Sequence, residues 1–138
     1  MLRSVRLRRA LLVSTAVVFA AIDLVHKTLD PAEFHHARTP FIAVAMGGLI
    51  VALVVLVPRV PSNVAALGAG IACGGTLGNL VSLTSWADGV PDPFVVAGVA
   101  HGVAFNLADL FAVAGDALLL SAAVLYGARH RERLRERI

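Results

Sequence analysis

Apolar stretches divide this chain at intervals that leave it few ways to fold. A helix needs about 20 residues to cross roughly 30 Å of hydrocarbon, and segments of about that length run over residues 10–27, 40–57, 64–83 and 103–126. No water reaches a bilayer core to satisfy backbone N–H and C=O groups, so such segments must be helices. The composition agrees: 58% of the residues are hydrophobic, against about 45–50% in a soluble domain. Mean hydropathy is +0.82. The chain therefore reads as an all-α integral membrane protein, one domain over residues 1–138 with four transmembrane helices.

Charge gives the expected orientation. Arg3, Arg6, Arg8 and Arg9 open the chain, Arg129, Arg131, Arg133, Arg135 and Arg137 close it, and Arg59 lies in the turn between the second and third segments. An even number of crossings with basic ends places both termini on the cytoplasmic side. The net charge of +3 does not point to nucleic acid, because no aromatic residues interleave with these arginines. A basic start, an apolar run and Ala20-Ala21 are ingredients of a secretory signal. Asp23 and Lys27 nevertheless continue the same run at i and i+4, so it reads as an uncleaved first helix.

Several features have ordinary explanations. Cys73 has no second cysteine to pair with and reads as a small buried apolar residue. His35 and His36 stand near Asp30 and Glu33, but neighbouring side chains diverge and zinc sites want wider spacing. Residues 28–39 thus read as a solvated interfacial loop, with no metal and no cofactor expected. Gly70 and Gly74 have the spacing that lets membrane helices approach closely, so the third helix should be buried between others. Trp86 suits an interfacial anchor, Asp88 and Asp92 read as turn residues, and residues 94–102 as an apolar re-entry or short interfacial segment.

The head of the fourth segment is different. Phe105-Asn106-Leu107-Ala108-Asp109 sets an amide and a carboxylate into one helical sector, and Asp116 returns to it two turns deeper. A carboxylate that must be desolvated marks a functional site. The topology gathers Asp23 and Lys27, Asn79, Asp88 and Asp92, and Asn106 and Asp109 at one membrane edge. Two neighbouring carboxylates share a proton and can activate water against a peptide carbonyl, which is aspartic-protease chemistry. Asp109 and Asp116 on one face also fit a small proton-coupled transporter.

Gly74-Gly75-Thr76-Leu77-Gly78-Asn79-Leu80, then Gly89-Val90-Pro91-Asp92-Pro93-Phe94, then Phe105-Asn106-Leu107-Ala108-Asp109 resemble the signature blocks of the lipoprotein signal peptidase (signal peptidase II) family. Asp23-Leu24-Val25-His26-Lys27 resembles its first-helix block. The resemblance implies an aspartyl endopeptidase of the bacterial inner membrane, its site toward the outer face. It implies cleavage of prolipoproteins just before a diacylglyceryl-modified cysteine, with a lipidated prolipoprotein and membrane lipids as partners and no cofactor. Carried over by position, Asp109 is the second catalytic aspartate and Asp92 the first, with Asp88 the alternative. Asn79 and Asn106 order the pair and the substrate, and Asp23 and Lys27 support them. The chain departs from the pattern at Ser82 and Leu83, where the family usually has Asp and Arg, at Pro93, which interrupts an Asp-Phe pair, and at residues 28–39, too short for the family's extracytoplasmic block. A catalytically inactive relative with an accessory or scaffold role is the alternative these departures raise.

Overall fold

The structure, a computed structural model, describes residues 2–96 and 103–135. Among them, four helices are long and apolar enough to cross a membrane. They are α1 (Leu2–Leu29), α2 (Pro40–Leu56), α3 (Asn63–Ser85) and α4 (Leu107–Arg135). Local chemistry sets their ends. Thr39 accepts a hydrogen bond from Ile42 N with Pro40 at the first turn, and Ser62 accepts one from Ala65 N at 3.1 Å, which starts α2 and α3. Pro58 stops α2, and a short 3-10 turn over Val57–Arg59 leads into α3.

α3 is the central helix. Its Gly70 and Gly74 lie against α1, where a Cβ would come within 2.8 Å of Leu12 O and 2.9 Å of Ala16 O. Gly68 and Gly75 lie against α4, and a Cβ on Gly75 would run into the backbone of Ala108. Alanines fill the remaining interface: Ala16, Ala65, Ala66, Ala69 and Ala122 pack with Leu12, Val57 and Cys73 into the core. Small residues let backbones approach, and dispersion between close backbones replaces the hydrophobic driving force that lipid does not supply. The expectation of a buried third helix is met. α2 has no buried residue and lies at the edge of the bundle.

Four short strands modify the all-α expectation. β1 (Phe34–His36) pairs antiparallel with β2 (Val90–Asp92), and β3 (Phe94–Val96) with β4 (Val103–Phe105). Pro93, without an N–H, ends the first ladder, and the chain changes partner there from β1 to β4. Gly89 turns into β2 at φ +108°, and a Cβ there would meet His36 O at 2.7 Å, so this crossing needs glycine. Two expectations are corrected. Residues 28–39 are not simply a solvated loop, since they contain β1. The fourth helix does not begin at Val103: residues 103–105 form β4, Asn106 precedes the helix, and α4 starts at Leu107. Of the expected re-entry segment, Phe94–Val96 is β3, and residues 97–102 lie outside the described residues.

Gly75→Ala is expected to destabilise the fold by about 1–3 kcal/mol because the atoms its Cβ would meet are α4 backbone and cannot swing aside. Gly47→Ala, which meets nothing within 4 Å, should be neutral or better. Thermal unfolding of the two variants in one detergent compares them directly.

Candidate functional site

The C-terminal ends of α1 and α3 and the N-terminal end of α4 meet at one end of the bundle, under β1 and β2. There Lys27 and Asp23, one helical turn apart, form an ion pair of 2.7 Å with both side chains at 0% exposure. The ammonium uses all three protons: on Asp23 Oδ2, on Asn79 Oδ1 at 2.8 Å and on Ser82 Oγ at 3.2 Å. The second carboxylate oxygen of Asp23 accepts from Ala108 N at 2.9 Å, in the first turn of α4, where orphan N–H groups and the helix dipole favour an anion. Gly78 leaves the space in which this carboxylate lies. A buried charge is tolerable only when paired and fully hydrogen-bonded, and this one is.

From Lys27 the network runs outward through two amides. Asn79 turns its carbonyl oxygen to the ammonium and its Nδ2 to Asp109 Oδ1, 3.0 Å away. Donor and acceptor roles fix the orientation of that amide. Asn106 and Asp109 form a capping box: Asp109 N donates to Asn106 Oδ1 at 3.2 Å, and Asn106 N to Asp109 Oδ2 at 3.1 Å. This pairing is why α4 begins after Asn106. The remaining donor, Asn106 Nδ2, reaches Asp92 Oδ1 at 2.6 Å. One residue therefore contacts both Asp92 and Asp109.

The two carboxylates have unlike surroundings. Asp92 ends β2 at 1% exposure, whereas the Asp109 side chain is 37% exposed. Asp88, the other loop aspartate, is exposed in the turn before Gly89. The structure thus brings Asp23, Lys27, Asn79, Asp92, Asn106 and Asp109 together and leaves Asp88 outside. Asp116 is exposed farther along α4, and no hydrogen bond joins it to the network. Among the described residues no group of three or more His, Cys, Asp or Glu side chains could hold a metal ion.

Three contributors were not assigned to the site from the sequence. His36 Nδ1 contacts Asp92 Oδ2, and Arg38 Nη2 lies 3.7 Å from Asp109 Oδ1. Residues two apart on an extended chain share a face, so β1 and its continuation carry one basic side chain to each aspartate. That period of two was the available signal, but it spans too few residues to stand out. Ser82, where the resemblance broke, fills the third bonding direction of Lys27 and donates to Gly78 O at 2.8 Å.

A family model described as Signal peptidase (SPase) II matches residues 29–125. The chain belongs to the signal peptidase II family. Its members are bacterial membrane proteases of the aspartic type, and the match takes in Asn79, Asp92, Asn106 and Asp109 while starting just after Lys27. Comparisons with curated proteins and with solved structures found no match. Signal peptidase II membership and the four apolar helices agree with a lipoprotein-processing protein of the membrane.

Lys27→Met should cost about 3–5 kcal/mol, since it leaves the Asp23 carboxylate buried without its cation. Asp23→Leu combined with Lys27→Met should cost less than Lys27→Met alone. Thermal unfolding of the single and double variants in detergent tests that inversion.

Proposed function

We propose that this chain is a membrane-embedded aspartyl endopeptidase that removes signal peptides from diacylglyceryl-modified prolipoproteins, with Asp92 and Asp109 as its catalytic pair. The observation that carries this reading is the double engagement of Asn106, which holds Asp92 through its side-chain nitrogen and Asp109 through a capping box. A shared rigid neighbour fixes the separation and orientation of two carboxylates that would otherwise repel. In the proposed mechanism the two carboxylates share one proton, so that one acts as base and the other as acid.

The chemistry follows from that shared proton. A water between the carboxylates gives a proton to the ionised one as its oxygen attacks the scissile carbonyl carbon. The protonated partner donates to the carbonyl oxygen, forming a neutral gem-diol. The C–N bond then breaks as the leaving nitrogen takes the proton that water gave up and a gem-diol hydroxyl returns a proton to the other aspartate, which frees the signal peptide's new carboxyl end and the amino group of the lipidated cysteine. General acid and base steps of this kind contribute about 10²–10⁴-fold each. The buried position of Asp92 and the partial exposure of Asp109 leave Asp109 as the side from which substrate and water arrive. Arg38, whose Nε is buried without a hydrogen-bond partner among the described residues, supplies Asp109 with a guanidinium neighbour that Leu83 does not.

The proposed placement is multi-pass in the bacterial inner membrane, with both termini cytoplasmic and the pair facing outward. Basic residues at both ends of the chain and at Arg59 support it. An outward site at the membrane edge suits a substrate whose acyl chains remain in the outer leaflet.

Cleavage of a diacylglyceryl-modified lipobox peptide by the reconstituted protein is expected to fall by at least about 10²-fold in Asp92→Asn and in Asp109→Asn, because an amide is neither base nor acid here. Asp88→Asn should retain activity. Full activity in either of the first two variants removes that residue from the mechanism.

A further inference from the structure

The opposite end of the bundle carries a second polar concavity. A cavity of about 600 Å³ opens between the first two turns of α1 and the turn that joins α2 to α3, lined by Arg6, Arg8, Arg9 and Arg59. Its volume lies in the range of about 300–1,000 Å³ typical of ligand sites. No acidic residue lines it, and none of the four arginines pairs with a carboxylate among the described residues. Four cations gathered at one concavity, with no counter-ion among the described residues, favour an anion there.

Two of the guanidinium groups are held in place. Arg8 Nε donates to Pro58 O at 2.9 Å, and Arg59 Nη1 to Val55 O at 2.6 Å. Both acceptors belong to the C-terminal end of α2 and the turn after it, where carbonyls lack intrahelical partners and favour a cation. Each bond uses one donor of a five-donor fork, so the guanidinium is fixed while other N–H groups stay available for a phosphate. Arg8 is half-buried, and Arg6 and Arg9 are exposed beside it.

The rest of the lining identifies the bearer of the anion. Leu2, Ser4, Val5 and Pro61 complete the wall, three of the four apolar. Leu7 on α1 and Leu56 on α2, close in sequence to lining arginines, are exposed apolar side chains. Arg8 and Lys27 are nineteen residues apart on one helix, roughly 28 Å at 1.5 Å per residue, so the cavity lies about a bilayer's thickness from the proposed catalytic pair. At that depth guanidinium groups meet lipid phosphates while the neighbouring apolar surface meets acyl chains. We infer that this cavity is a binding site for the headgroup of an anionic glycerophospholipid in the leaflet opposite the proposed active site. The lipid staples the start of α1 to the α2–α3 turn, an end of the bundle where α2 has no buried residue of its own.

The test uses the full chain, purified and delipidated in a zwitterionic detergent. Short-chain phosphatidylglycerol, phosphatidylcholine with the same acyl chains, and inorganic phosphate are each added, with native mass spectrometry reading bound lipid and thermal unfolding reading stabilisation. Phosphatidylglycerol is expected to be retained and to raise the unfolding temperature, whereas phosphatidylcholine and inorganic phosphate should do neither. Arg59→Gln and Arg9→Gln should each weaken phosphatidylglycerol binding about fivefold, while Arg3→Gln, exposed on α1 outside the cavity, should change it less than about twofold. Arg9 makes no hydrogen bond or ion pair with a described residue, so its variant reports binding without an effect on folding. Equal retention of the two lipids, displacement of phosphatidylglycerol by inorganic phosphate, or an Arg3→Gln loss as large as that of Arg9→Gln would overturn the inference. The last of these would mean diffuse attraction to a basic terminus and no site.

Discussion

A single ammonium holds the site end of this molecule together. Lys27 arises on α1 and takes one acceptor from its own helix and two from α3, and the carboxylate it neutralises also binds the first turn of α4. In the interior of a membrane bundle such a charge cannot fall back on water. Each of its bonds must be kept, so the three helices are locked in one relative register at that end. The glycines of α3 make the lock possible. Gly70, Gly74 and Gly78 recur every four residues toward α1, the first two admitting backbone and the third the Asp23 carboxylate.

The amides then transmit that order to the two aspartates. Asn79 and Asn106 each present an acceptor to one neighbour and a donor to another, and every partner has the complementary polarity. The resulting chain of contacts runs Asp23, Lys27, Asn79, Asp109, Asn106, Asp92, His36. Local and global demands coincide at Asn106: the bonds that start α4 are also those that orient Asp109, so the site stands on a helix end and not on a free loop. Sites positioned by regular elements and supported by a second layer of bonds hold their geometry best.

Much of this was legible in the chain. Four apolar segments and the small-residue spacing of α3 announced the bundle, and the i, i+4 placement of Asp23 and Lys27 announced their pairing. The start of α4 was also written there, because Asn-x-x-Asp is a capping-box spacing, but the apolar Val103-Ala104-Phe105 reads equally as helix or strand. Asp92 and Asp88 look alike as turn residues. Only the fold separates them, by burying Val90-Pro91-Asp92 as a strand behind the positive-φ Gly89. His36 and Arg38 were hidden for a related reason: a three-residue strand of exposed side chains has no hydrophobic period, and its pairing with β2 is a long-range contact.

The proposed chemistry makes water the nucleophile and leaves no covalent intermediate on the protein. Cleavage of a diacylglyceryl-modified lipobox peptide by the full chain in heavy-oxygen water, read by mass spectrometry, tests this directly. One heavy oxygen is expected in the new carboxylate of the released signal peptide, with the lipidated cysteine at the new N-terminus of the other product. An uncut peptide, or a cut at another bond, would contradict the assignment of this polar cluster as a signal peptidase II active site.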